Sequence, residues 1–291
     1  MTKTSVKSAT PHRWPKVDVL QVEPARLGRP LRISIARLSE GTGGRPIVVY
    51  LLDPSFNFSA AVATSTFLGG FARLAGGHWP EVTIVGIGYE TEDPREIMTR
   101  RALDLTPTAH GAPAGVQLPP LSFGGAPAFL AALHEEVIPT VEHTLHLATA
   151  ARVMAGHSFG GLFGLYTLFH KPDLCSGYLL ISPSVWWDDR ILFRYERASR
   201  DANQKLPARL FLAVGDKEQT PGGGWRNESF PDDALEKLRQ VQNFRELTAA
   251  LEGRVQHGLR LRSAVVPNEY HLTVFPAAFG AGLRWMVDEL G

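Results

Sequence analysis

Ala151-Arg152-Val153-Met154-Ala155-Gly156-His157-Ser158-Phe159-Gly160-Gly161-Leu162-Phe163-Gly164-Leu165-Tyr166-Thr167-Leu168-Phe169 is the stretch that decides how this chain folds. Residues 151–155 make a short apolar run, the pattern of a buried strand, and residues 161–169 read as a helix. Between them stands Gly156-His157-Ser158-Phe159-Gly160, a Gly-x-Ser-x-Gly pentapeptide. Strand, sharp turn and helix are the setting in which this pattern forms a nucleophile elbow that lifts serine clear of a sheet. A serine hydroxyl is a weak nucleophile at neutral pH and needs a base to take its proton. Side chains two residues before and after the serine would crowd the strained turn, which favours glycine there. In a chain with 28 glycines the pentapeptide alone is weak evidence against a chance Gly-rich turn. The flanking strand and helix give it weight.

Outward from the elbow, strands and helices alternate. Ile47-Val48-Val49-Tyr50-Leu51-Leu52 and Val82-Thr83-Ile84-Val85-Gly86-Ile87 are continuous apolar runs, typical of strands covered on both faces. Residues 177–182 and 210–215 predict two more strands, and 259–266 alternates like an exposed edge strand. Helices are predicted over 58–74, 126–146, 232–251 and 275–290, with Pro139 expected to kink or divide the second. Residues 17–22 and 31–36 alternate apolar and polar, which predicts an antiparallel start. Residues 90–125 are irregular, long enough for a functional or mobile loop. The pattern predicts an α/β fold, a mostly parallel sheet with helices on both faces, in one domain over 17–291 behind a flexible segment, 1–16.

Sites in such sheets form where loops leave the carboxyl ends of strands. His271, in Pro267-Asn268-Glu269-Tyr270-His271 between the last strand and the last helix, is the expected base, in the chain order nucleophile, acid, histidine. His157, inside the elbow, is expected to point elsewhere. The strand at 210–214 runs into Gly215-Asp216-Lys217-Glu218, and either carboxylate is placed to orient the histidine. An Asp after Gly commonly shapes a turn, which favours Glu218. The oxyanion donors expected are the N–H of Phe159 and one from the loop Asp53-Pro54-Ser55-Phe56. Pro54 has no N–H, which leaves Ser55.

Gly156-His157-Ser158-Phe159-Gly160-Gly161-Leu162-Phe163, with Ile181-Ser182-Pro183-Ser184-Val185-Trp186-Trp187 and Tyr50-Leu51-Leu52-Asp53, resembles the putative-esterase branch of the α/β-hydrolases. That branch includes enterobactin and salmochelin esterases, feruloyl esterases, S-formylglutathione hydrolases and mycolyltransferases. Arg101-Ala102-Leu103-Asp104-Leu105-Thr106-Pro107 is similar to a segment of its siderophore esterases. The resemblance implies Ser158 as nucleophile, Glu218 as acid, His271 as base, Phe159 and Ser55 as oxyanion donors, and Arg101 facing an anionic substrate. Many relatives carry Gly where this chain has Pro54.

The expected activity is that of a serine esterase working through an acyl-enzyme on a siderophore trilactone. The alternatives are a general carboxylesterase on small acyl or aromatic esters, an acyltransferase, and a binding module without turnover. Arg100 and Arg101 suit carboxylate or catecholate oxygens; an exposed helix end or an ion pair with Asp104 is the plainer reading. Trp186 and Trp187 suit stacking on an aromatic group, or wall packing. Residues 90–125 and Gly222-Gly223-Gly224-Trp225 are candidate rims or lids. The proposed chemistry needs no cofactor, and a ferric ion would arrive with the substrate. Thirty basic against 29 acidic residues, without a basic run, argue against nucleic acid. No run of eighteen apolar residues suggests a membrane span. One cysteine, Cys175, excludes an internal disulfide, and its apolar neighbours predict a buried thiol. The polar start has no apolar core of a signal peptide, so the cytoplasm is expected.

Overall fold

The computed structural model describes residues 15–38, 41–109, 120–147, 150–220 and 232–291. Nearly all of the expected flexible segment 1–16, and Gly222-Gly223-Gly224-Trp225, lie outside the described residues. The strands are β1 Val17–Val22, β2 Leu31–Arg37, β3 Ile47–Leu52, β4 Val82–Tyr89, β5 Ala151–His157, β6 Gly177–Ile181, β7 Arg209–Gly215 and β8 Arg260–Val266. Among the described residues they form one sheet in the order β1-β2-β4-β3-β5-β6-β7-β8. β1 pairs antiparallel with β2, Val17 opposite Ala36, and β2 antiparallel with β4. From β4 onward every pair is parallel. The helices are α1 Pro54–Leu74, α2 Pro94–Asp104, α3 Ala126–Ala132, α4 Ile138–Leu145, α5 Phe159–His170, α6 Trp187–Asp201, α7 Asp232–Leu238, α8 Gln240–Glu252 and α9 Val274–Leu290.

Strands β3, β4 and β6 are buried along their whole length because helices cover both faces. On one face, Val49, Leu51, Leu179 and Phe211 of the sheet pack with Ala61 of α1 and Phe275, Phe279 and Leu283 of α9. On the other, Tyr50, Met154 and Leu180 pack with Phe129 of α3, Phe163 of α5 and Leu247 of α8. The parallel register brings the carboxyl ends of β3, β5, β6 and β7 to one edge, where the candidate residues gather.

Several elements differ from the sequence expectation. The oxyanion loop is a single residue, Asp53, because α1 starts four residues early with Pro54 in its first turn, where a missing N–H costs nothing. The irregular 90–125 segment contains α2, whose N-terminus is capped when the Asp93 side chain accepts from Arg95 N–H. The helix over 126–146 is divided near Pro139, as expected: one turn of π-helix at Leu133–Val137 joins α3 to α4, with Pro139 in the first turn of α4. The helix expected over 232–251 is divided at Arg239, in the left-handed region at φ 49°. α6 is not expected from the sequence, and its first turn passes through Asp188, Asp189 and Arg190, all at positive φ.

Candidate active site

The elbow is built by β5 running into α5. Ser158 sits between them at φ 59°, ψ −116°, outside the ordinary regions for an L-residue. Hydrogen bonds from three sides hold this strain. Ser158 N–H donates to the Ile181 carbonyl at 3.1 Å, and the Ser158 carbonyl accepts from Leu162 N–H at 3.0 Å and Ser184 N–H at 3.2 Å. A methyl group on Gly156 would overlap the Gly160 backbone, and one on Gly161 would press on Pro183 at 2.8 Å. Of the two pentapeptide glycines, Gly156 is thus sterically required, and Gly161 just beyond it is tight, whereas a methyl on Gly160 would meet Leu52 only at 3.4 Å.

His271 stands on the turn between β8 and α9 with its side chain 36 % exposed. That turn crosses the end of β7: Lys217 N–H donates to the Glu269 carbonyl at 3.1 Å, and only glycine at 215 leaves room for Glu269. The structure brings Glu218, not Asp216, to the histidine. Glu218 Oε2 lies 2.7 Å from His271 Nδ1, and Oε1 accepts from Gly215 N–H at 2.7 Å. Asp216 instead accepts from Asn268 N–H at 2.7 Å and ties the two turns together. Glu218 is only 3 % exposed. With Nδ1 engaged, His271 Nε2 is the nitrogen left to act as a base. The Ser158 hydroxyl lies 3.5 Å from Ser184 Oγ and makes no hydrogen bond to His271 among the described residues.

His157 does not point away from the site. Its ring packs on that of His271, centroids 4.6 Å apart, and edge-on to Phe275. Burial, together with the charges of His271 and Arg101, holds its pKa well below the ordinary histidine value, so it is a neutral shelf under His271.

Phe159 and Ser55 are the first and second residues beyond the caps of α5 and α1, where backbone N–H groups have no carbonyl one turn back. Arg101 is 7 % exposed and forms a two-pronged pair with Asp53, Nε to Oδ1 at 3.0 Å and Nη2 to Oδ2 at 2.8 Å. The guanidinium also lies over the Phe159 ring, 5.1 Å from its centroid, and so joins the two candidate oxyanion segments. Asp104, the expected partner, is bound by Arg29 instead. Pro54 fits because Gly86 and Gly88 of β4 leave space for its ring; a methyl at Gly86 would lie 2.7 Å from Pro54 Cβ.

Arg100 bonds Glu96 one turn back on α2, Nε to Oε1 at 2.9 Å. Trp187 is fully buried; its Nε1–H donates to Thr108 Oγ1 at 3.0 Å and its ring meets Phe159 edge-on. It is wall, with no face left to stack on a ligand. Trp186, 8 % exposed, keeps a little free surface. A groove of about 400 Å³ lined by Arg32, Pro54, Ser55, Phe56, Tyr89 and Thr91 touches the candidate site only at Ser55.

Two polar residues at this centre were not singled out from the sequence. Ser182, buried at φ 48° just past β6, donates its hydroxyl to Glu218 Oε2 and lies 3.0 Å from His271 Nδ1. Gln240, buried at the start of α8, donates through Nε2 to Ser182 Oγ at 3.1 Å and to the Pro183 carbonyl at 2.9 Å. Ser182 lies inside the quoted Ile181–Trp187 motif; Gln240 gives no local signal, because the Arg239 break that makes it a first-turn residue was unread.

The strand order, elbow and carboxyl-edge placement are those of an α/β-hydrolase. The chain belongs to the esterase family described as "Putative esterase", whose model matches residues 25–257. It is 34 % identical over 270 residues to the siderophore enterobactin esterase of Emericella nidulans, covering 85 % of this chain and 84 % of the relative. It is 30 % identical over 253 residues to the ferri-bacillibactin esterase BesA of Bacillus subtilis, covering 84 % and 80 %. The siderophore hydrolase EstA from Aspergillus nidulans superposes with a TM-score of 0.83 over the whole of both chains, at 26 % identity. Among the described residues no helix is long and apolar enough to cross a membrane.

Proposed function

We propose that this protein is a serine esterase that opens the ester bonds of a siderophore, with Ser158 as nucleophile, His271 as base and Glu218 as acid. The observation that carries the reading is the 2.7 Å contact of buried Glu218 with His271 Nδ1, on the same sheet edge as the strained Ser158 elbow. In this reading the Ser158 hydroxyl leaves Ser184 and donates to His271 Nε2. That nitrogen takes the proton as Oγ attacks the ester carbonyl. The oxyanion rests on the N–H groups of Phe159 and Ser55. His271 then protonates the departing alkoxide, leaving an acyl-Ser158. Water deprotonated by His271 releases the acid. Glu218 holds the Nδ1–H tautomer and stabilises the imidazolium.

The relatives named for enterobactin and ferri-bacillibactin support a siderophore ester as substrate, and we take a trilactone as the preferred one. Arg101, engaged by Asp53, serves in this reading to hold the oxyanion segments. The buried lone cysteine fits a reducing compartment, and the cytoplasm is the location we propose. The test is hydrolysis of a ferric enterobactin-type trilactone beside p-nitrophenyl butyrate. The expected result is a higher kcat/KM on the trilactone and at least a ~10³-fold loss on both in Ser158→Ala. Turnover of the simple ester alone would leave a general carboxylesterase.

A further inference from the structure

The polarity of the hydrogen bonds behind Glu218 can be read from their fixed ends. The Pro183 carbonyl can only accept, so the Gln240 atom facing it at 2.9 Å is the amide nitrogen. That same nitrogen reaches Ser182 Oγ at 3.1 Å, so Ser182 accepts there. The Ser182 proton is then free to go to Glu218 Oε2, an accept-only oxygen when ionised. His271 Nδ1, 2.7 Å from the same oxygen and 3.0 Å from Ser182 Oγ, must carry its hydrogen. Bonds run in one sense from Gln240 to Ser182 to Glu218, and His271 meets that end as a donor.

Ser182 and Gln240 are both buried, and Ser182 holds a left-handed backbone, with its N–H on the Ala213 carbonyl at 2.6 Å. A strained, buried hydroxyl aimed at one carboxylate oxygen is an arrangement the surrounding structure must maintain. It also gives Glu218 Oε2 a second donor beside His271 Nδ1–H.

We propose that Ser182, polarised by Gln240, is a positioning residue that orients Glu218 and fixes the proton of His271 on Nδ1, leaving Nε2 as the base. The proposal rests on the assignment of Ser158, Glu218 and His271 made above. Removing the Ser182 hydroxyl strengthens the pull of the carboxylate on His271, so the histidine holds its proton to higher pH. Ser182→Ala should lower kcat/KM for p-nitrophenyl butyrate about tenfold, the worth of one hydrogen bond to a charged group, mainly through kcat. The acid limb of its pH–rate profile should move to higher pH. Gln240→Met, close to glutamine in size but without its polarity, should shift the limb the same way. The Ser182→Ala, Gln240→Met double variant should be no worse than Ser182→Ala alone.

The downfield proton NMR signal of His271 Nδ1–H gives a readout independent of turnover, and should move in both single variants. An unmoved acid limb with an unmoved Nδ1–H signal in Gln240→Met would overturn the proposal, as would fully additive losses. If Ser158→Ala abolishes turnover while Ser182→Ala is as fast as wild type, this proposal alone fails. Retained turnover in Ser158→Ala removes the assignment beneath it.

Discussion

Ser158 at φ 59°, ψ −116° stores roughly 1–3 kcal/mol of backbone strain, held by the Ile181, Leu162 and Ser184 contacts. The same precision separates the two carboxylates after β7. Glu218→Gln should lower kcat about 10²–10⁴-fold, while Asp216→Asn, which holds a turn amide and pairs with Lys217 at 3.7 Å, should cost far less. Steady-state kinetics on any accepted ester ranks them, and the reverse order would move the acid to Asp216. His157 makes a stability prediction. Its folded-state pKa is depressed, so well above about pH 6.5 both states are neutral and it contributes nothing. Below about pH 6.5 the unfolded chain takes up a proton that the folded chain refuses, and stability falls. His157→Phe, which keeps a ring under His271, should flatten urea-denaturation stability between pH 6.5 and 5 relative to wild type; an unchanged pH slope would remove His157 as the cause. Cys175, buried and with its thiol pushed up to about 12 by desolvation, is inert packing, as its apolar neighbours in the sequence suggested.

At the scale of elements, the start of α1 and the turn into α5 are tied by Arg101. Arg101→Ala should leave Asp53 buried without a partner, destabilising the fold by about 3–5 kcal/mol. It should also lower kcat/KM on neutral and anionic esters alike. A rise in KM confined to anionic esters would instead place the guanidinium against substrate. The elements hardest to read share a cause. α1 was read as beginning at 58 because Asp53-Pro54-Ser55 has turn composition, yet Pro is equally at home in a first helical turn. α2 hid among the prolines and glycines of 90–125, although Asp93-Pro94 is a cap followed by a first-turn proline. The division at Arg239 depends on a left-handed residue that is not glycine, which composition does not signal.

At the scale of the molecule, one sheet edge collects groups far apart in sequence: Asp53 after β3, Ser158 after β5, Ser182 after β6, Glu218 after β7 and His271 after β8. The strands were legible because burial on both faces writes continuous apolar runs, and the elbow because Gly156, two residues before the serine, is sterically required. Ser158 and His271 could be named as candidates from strand-end position, which left Asp216 and Glu218 both open; the turn role of an Asp after Gly and the family resemblance favoured Glu218. What lies behind them could not: Gln240 reaches Ser182 from a helix 58 residues away, and Arg101 meets Asp53 across 48. Such contacts are products of packing, with no spacing rule to announce them.

The most direct measurement is active-site labelling with a fluorophosphonate followed by peptide mapping. One phosphonate per chain on Ser158 is expected, lost in Ser158→Ala and slowed in His271→Ala, with esterase activity falling in step. A label on any other residue, or full esterase activity after Ser158 is blocked, would contradict the account.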